Sequence, residues 1–163
     1  MPGWLESLGG PFVVVPTDRL SHWTGSNDDE PDSDYAAACA VHAYLGVIAR
    51  PAADVLVLGD EPMPTRSIVI DGVHGFARWQ WAETDDVAAR VLGGLRLSSL
   101  PPAEEKLQWT VSGGVSLLDA VYAGTAAPAR IDVPLAPGTY LVTAHRIEPD
   151  DQTCFIVVLL RRL

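Results

Sequence analysis

The side chains best able to do chemistry in this sequence are carboxylates, and the densest group lies in one loop. Its acidic residues are Asp28, Asp29, Glu30, Asp32 and Asp34. Their alternation resembles a calcium-binding loop, but such loops need glycine at position six and glutamate at position twelve. Those positions hold Ser33 and Cys39. We therefore expect this acidic loop to contact a partner protein through its charge and to hold no metal.

A second acidic group, Asp60-Glu61, follows the apolar run 55–58 and precedes Pro62. Two carboxylates can act as general acid and base when they converge on one substrate. Neighbouring residues on a turn do not converge in that way, so the sequence favours a turn or a second partner contact. A hydrolase with an acidic site here stays open as an alternative.

Trp79 and Trp81 are the third candidate group. They are separated only by Gln80, so on a strand we expect both to point to one face. Such a pair packs in a core or anchors a binding surface. We count both as candidate partner contacts. As the wall of a ligand pocket they would instead support a small-molecule-binding or regulatory domain, which is a further alternative.

Other catalytic and metal-binding patterns do not occur in the sequence. Cys39 and His42 have helical i, i+3 spacing, but zinc needs a second pair of ligands and none has suitable spacing. Mid-helix among alanines, Cys39 is expected to be a buried small residue. There is no Gly-x-Ser-x-Gly elbow and no glycine-rich phosphate loop. We therefore predict no enzyme activity, no cofactor and no metal.

The charge of the chain limits its partners. The formal net charge is −10, and 16 of the 21 acidic residues lie in residues 1–106. This charge repels nucleic acid and anionic membrane and attracts a basic protein surface. Only two cysteines are present, and the first residues lack the pattern of a signal peptide. We expect a cytoplasmic protein, and the sequence does not predict its oligomeric state.

These residues must be positioned by a fold that the sequence predicts to be α+β. We expect one domain, 1–163, that is β-rich, with a mixed or antiparallel sheet and two short-to-medium helices, about 34–45 and 85–92. Asp71-Gly72 predicts a hairpin turn. Turns at Pro137-Gly138 and Pro149–Asp151 predict that the last three strands form a meander. The predicted strands include 12–15, 47–48, 55–58, 67–70, 75–81, 107–111, 115–120, 130–135, 139–148 and 153–161.

Several short motifs lie mostly in the first 80 residues, and the run 56–62 is the most specific of them. The motifs are Trp4–Ser7 with Gly9–Pro11 and Val13–Pro16, Trp23 with Gly25, Asp34-Tyr35, Ala38-Cys39, Tyr44–Ile48, Leu56–Pro62, Thr65, Arg78-Trp79, Asp119 and Pro137–Tyr140. Together they resemble the immunity protein 21 family, and the likeness is thinner beyond Trp79.

The resemblance implies an immunity protein of a bacterial toxin–immunity system, which protects its own cell by binding and blocking a cognate toxin. Such an inhibitor needs no catalytic residues. An acidic inhibitor suits a basic toxin, because it can fill a cleft that receives nucleic acid. The resemblance assigns no contact residues, so the acidic loop, Asp60-Glu61 and the two tryptophans stay candidates.

Overall fold

The computed structural model of the chain describes residues 3–26 and 32–163. These residues form strands, two α-helices and two short 3-10 turns at Thr17–His22 and Leu97–Ser99. The helices are α1 Asp34–Cys39 and α2 Asp85–Gly93. The strands are β1 Phe12–Pro16, β2 Leu45–Ala49, β3 Asp54–Leu58, β4 Thr65–Ile70, β5 Val73–Trp81, β6 Glu105–Val111, β7 Val115–Asp119, β8 Ile131–Val133, β9 Gly138–Asp150 and β10 Thr153–Arg162.

The strands form two five-stranded sheets packed face to face. The first sheet has the order β2-β3-β1-β7-β8 and the second has the order β4-β5-β10-β9-β6. Every strand pair in the described residues is antiparallel. The main hydrophobic core lies between the sheets and takes side chains from both. The prediction of a β-rich α+β fold is confirmed.

Strand β10 shows why the sequence carries long apolar runs. Its side chains alternate between the inter-sheet core, which receives Ile156 and Val158, and an outer cluster, which receives Phe155 and Val157. Helix α2 covers that outer cluster. Both faces of the strand are therefore buried, and a strand buried on both faces reads as continuously hydrophobic. In the described residues no helix is long and apolar enough to cross a bilayer.

The hairpin between β4 and β5 is confirmed at the predicted turn. Asp71 and Gly72 have φ values of 48° and 83°, as a two-residue type I′ turn requires. Ile70 pairs with Val73 across it. Helix α2 also begins as predicted, since the Thr84 hydroxyl accepts a hydrogen bond from the Val87 amide at 3.2 Å.

The predicted helix 34–45 is wrong at its C-terminal end, because α1 stops at Cys39. The Ser33 hydroxyl caps it as expected, accepting from the Ala36 amide. Residues 45–49 instead form β2, and Leu45 is buried in the inter-sheet core. Gly46 does not end a helix but pairs with Val57 of β3. Pairing with β3 and burial of Leu45 outweigh the local helix preference of the alanines.

The predicted terminal meander is also wrong at its first turn. Strand β8 pairs with β7 in the first sheet, whereas β9 lies between β10 and β6 in the second. The 134–137 segment therefore carries the chain from one sheet to the other. The Tyr140 hydroxyl donates to the Ala136 carbonyl at 2.7 Å and fixes this crossing. The β9–β10 hairpin is confirmed.

Candidate protein-binding surface

One buried arginine fixes the backbone of the loop that carries Asp60 and Glu61. Arg78 is fully buried on β5, and its guanidinium donates to the carbonyls of Gly59 at 2.7 Å, Glu61 at 3.1 Å and Leu58 at 3.3 Å. Asp60 itself has a φ of 65°, a left-handed conformation that aspartate tolerates better than most residues. The carboxylates of Asp60 and Glu61 are both on exposed residues. The backbone of this turn is therefore fixed while its charges face solvent.

Arg78 carries a charge into the core, and no carboxylate of the described residues forms an ion pair with it. Burial lowers the pKa of its guanidinium to about 10, while the negative charge of Asp60 acts in the opposite direction. At neutral pH the group is still protonated. Its Nε has no hydrogen-bond partner within the described residues. The three carbonyls above it and the nearby Asp60 therefore compensate a cost that burial of a charge imposes.

Trp79 and Trp81 do not share a face, so that expectation is wrong. The pairing of β5 with β10 shifts register at this point. Trp79 pairs with Phe155 and Trp81 pairs with Cys154, so two steps along β5 match one step along β10. One extra residue, Gln80, therefore bulges out of β5. Trp79 packs edge-on against Phe155 in the outer cluster. The bulge turns Trp81 to the other side of the sheet.

Arg146 marks the side to which Trp81 turns. It lies opposite Ile156 of the inter-sheet core, and its guanidinium lies 5.4 Å from the centre of the Trp81 ring. It also donates to Glu148 at 3.0 Å and to the Gln80 side chain at 3.0 Å. The Trp81 residue is 38% exposed. The bulge thus places an aromatic ring, an arginine and a carboxylate together at the end of the sandwich.

Tyr44, which directly precedes strand β2 of the first sheet, lies close to Arg146. The Glu105 carboxylate on β6 accepts from the Tyr44 amide at 2.9 Å and from the Leu45 amide at 3.1 Å. The pKa of the Tyr44 hydroxyl is raised by its burial and also by the negative charges of Glu104 and Asp60, while Arg146 lowers it. The Asp60 loop, β6 and β9 therefore all converge on Tyr44.

These residues form one surface, which we call the Tyr44 face. It has aromatic and guanidinium groups at its centre and exposed carboxylates around them. Trp, Tyr and Arg are the residue types that most often anchor protein interfaces, and a charged rim speeds encounter with a partner of opposite charge. The Tyr44 face therefore has the composition of a protein-binding surface. Its members are Tyr44, Asp60, Gln80, Trp81, Glu104, Arg146 and Glu148.

Comparison with known proteins decides the family. The family model described as immunity protein 21 matches residues 3–153, which is most of the chain. The chain belongs to the immunity protein 21 family. Neither the curated proteins nor the solved structures include a match. Membership makes this chain an immunity protein of a toxin–immunity system, with a toxin as its partner.

The motifs that resemble the immunity protein 21 family hold the opening segment of the chain to both sheets. The Asp119 carboxylate at the end of β7 accepts from the Leu8 amide at 2.8 Å and from the Val121 amide at 3.2 Å. On the second sheet, Trp4 packs edge-on against Trp79, with ring centres 5.1 Å apart. These positions therefore stabilise the fold, and Trp79, half-buried under Trp4, is placed away from the Tyr44 face.

Only part of the acidic loop lies within the described residues. Asp28, Asp29 and Glu30 lie outside the described residues, and Asp32 is exposed. Asp34 was a candidate contact, but its side chain is only 8% exposed and its carboxylate is already engaged. It accepts from the Thr24 amide at 2.8 Å and from Arg50 at 2.7 Å. Asp34 therefore joins Thr24 to Arg50 and has a structural role in this part of the chain.

Replacing Asp34 with alanine is expected to lower the free energy of unfolding by about 2 kcal/mol, because Arg50 and Thr24 lose a buried charged acceptor. Urea denaturation measures the effect. The matched control is Asp32→Ala, which removes an exposed carboxylate nearby and is expected to change stability by less than about 0.5 kcal/mol. Equal effects of the two substitutions would contradict an anchoring role for Asp34.

Cys39 and His42 do not share a helix in the structure. Cys39 is exposed, so the expectation of a buried residue is wrong, and α1 ends there, before His42. In the residues 3–26 and 32–163 no three His, Cys, Asp or Glu side chains come together as metal ligands. Sequence patterns could not find Tyr44, Glu104, Arg146 and Glu148, since strand pairing alone brings them together.

Proposed function

We propose that this immunity protein binds the toxic domain of its cognate toxin directly, through the Tyr44 face, and blocks it without catalysis. The observation that supports the proposal is the convergence of Tyr44, Trp81 and Arg146 inside a ring of exposed carboxylates. The inter-sheet core joins both sheets, so we propose that the chain acts as one domain. We place its action in the bacterial cytoplasm, where it would protect the producing cell.

The charge of the Tyr44 face suggests how the block works. Asp60, Glu104 and Glu148 are exposed, and Arg146 already pairs with Glu148. A basic toxin cleft would approach this rim by electrostatic attraction and then bury Trp81 and Tyr44 at the centre. The immunity protein would exclude the toxin's substrate by occupying that cleft. No chemical step is required of any residue.

Binding is expected to weaken as salt rises, since exposed carboxylates are screened. Between 50 mM and 500 mM NaCl, we expect affinity for the toxin domain to fall about tenfold, mostly through the association rate. Surface plasmon resonance separates the two rates. In the double variant Asp60→Asn/Glu104→Gln the salt effect should shrink. Asparagine suits position 60 because it tolerates the left-handed backbone that Asp60 adopts.

An affinity that does not change with salt would remove the electrostatic part of the proposal. The same Asp60→Asn variant tests the hydrolase alternative. If the chain protected cells through an enzymatic activity at Asp60-Glu61, the substitution would abolish protection even where toxin binding persisted. We expect protection to follow binding affinity in every variant.

A further inference from the structure

Strand β4 lies at the edge of the second sheet and offers unpaired backbone groups to solvent. Thr65 exchanges both its backbone hydrogen bonds with Leu5, at 2.8 and 2.9 Å, on the side of β4 away from β5. Alternate residues of an antiparallel strand direct these groups to the same side. Ser67 and Val69 therefore point their amide and carbonyl groups to the same open edge, where no strand of the described residues pairs with them.

A cleft of about 350 Å³ runs along this edge. Helix α2 supplies Leu92 to one wall, and another wall is formed by Asp132 and Val133 of strand β8 with Pro134 after them. The Asp132 carboxylate is already paired with Arg130 at 3.1 Å and accepts from the Ser116 hydroxyl at 2.6 Å. Val69 is 59% exposed at its opening. An extended chain placed beside β4 would meet backbone hydrogen-bonding groups along one side and apolar side chains around it. That combination is the recognition mode of strand addition.

Arg66 gives this cleft a charge preference. The residue lines the cleft, is only 8% exposed, and has no hydrogen-bond partner for its Nε within the described residues. Its guanidinium lies 4.7 Å from the centre of the Trp4 ring, which fixes its plane without neutralising its charge. Burial lowers its pKa, and Asp85 offsets this from a distance without forming an ion pair with it. A buried guanidinium whose Nε–H has no partner in the described residues is suited to a carboxylate.

We propose that the edge of β4 binds an extended acidic peptide segment of a partner protein, which adds as a strand beside Ser67 and Val69 and places a carboxylate on Arg66. A second copy that adds its own β4 edge is disfavoured as the occupant, because the strand Thr65–Ile70 contains no carboxylate to place on Arg66. The site is separate from the Tyr44 face, since Trp81 lies at the opposite end of β5 from the Val69–His74 pair.

The probe is the peptide acetyl-Thr-Val-Glu-Val-Thr-Val-amide, titrated into the ¹⁵N-labelled full chain and followed by amide shifts and hydrogen exchange. Its glutamine analogue is the matched control. We expect slower exchange at the Ser67 and Val69 amides and roughly tenfold weaker binding of the glutamine analogue. Arg66→Gln should remove that difference. Trp81→Ala should leave peptide binding unchanged even if it abolishes toxin binding, so the two proposals can fail separately.

A pair of variants at Val69 tests the backbone contact. Val69→Pro removes the outward amide but no bond to β5, and proline is tolerated on such edges. Val69→Thr keeps the amide. We expect the first to abolish peptide binding and the second to retain it. Equal binding by both variants would overturn the proposal. So would equal affinity for the two peptides, dimerisation of the chain through β4, or inorganic phosphate alone saturating the same amides and preventing further shifts with peptide.

Discussion

Replacing Trp81 with alanine is expected to weaken toxin binding roughly 30-fold, which is about 2 kcal/mol. The ring is partly exposed and already stacked on Arg146, so a partner that covers it buries a large apolar surface at little cost in side-chain entropy. Isothermal titration calorimetry with the cognate toxin domain measures the loss. Because Trp81 ends β5 and is not in the core, the variant should fold with nearly unchanged stability.

The matched control for this prediction is Leu163→Ala. Leu163 is 67% exposed and follows the end of β10 that lies farthest from Cys154, the partner of Trp81. Its loss removes a comparable exposed apolar side chain from a distant surface. We expect toxin affinity to stay within about twofold of the unmodified chain. If both variants bind as the unmodified chain does, the toxin contacts another surface.

Replacing Arg78 with methionine is expected to lower the free energy of unfolding by about 3 kcal/mol. The side chain keeps its bulk, but the carbonyls of Leu58, Gly59 and Glu61 lose their donor. The backbone of the loop that carries Asp60 is then no longer fixed by these hydrogen bonds. Urea denaturation followed by tryptophan fluorescence measures the loss. We also expect weaker toxin binding, because the Asp60 loop no longer has one fixed conformation.

The control for Arg78 is Arg90→Met, an arginine-to-methionine change on the exposed side of α2. It should change stability by less than about 0.5 kcal/mol. The comparison separates loss of the buried donor from loss of one positive charge in an acidic protein. A loss of similar size in both variants would contradict the role assigned to the Arg78 guanidinium.

Local patterns predicted much of the fold. The Asp71-Gly72 turn, the apolar run of β1 and the Thr84 cap of α2 each depend on a few adjacent residues, and each is confirmed. The strand predicted at 47–48 is likewise confirmed within β2, but residues 40–45 could not be read in that way. Their alanines favour helix, whereas Leu45 is buried in the inter-sheet core with side chains such as Val142 and Ile156, which lie far along the chain.

The candidate site was predicted only in part, for a similar reason. Asp60 and Trp81 stand out in the sequence, and the structure brings both to the surroundings of Tyr44 and Arg146. The prediction that Trp79 and Trp81 point to one face is wrong, because a one-residue bulge at Gln80 reverses the expected alternation of side chains. Asp34 is a less suitable contact than its charge alone indicates, because its carboxylate is already engaged by Arg50, sixteen residues further along the chain. Neither event leaves a local pattern in the sequence.

Amide hydrogen exchange of the free chain and of its complex with the cognate toxin domain tests the central claim most directly. The Tyr44 face predicts slower exchange in the complex at three separate stretches, residues 44–45, 59–61 and 80–81, with further protection at 104 and 146–148. Exchange should be unchanged at the Gly138 end of β9 and at the Arg162 end of β10. Protection confined to other surfaces, with these stretches unaffected, would contradict the claim that the Tyr44 face binds the toxin.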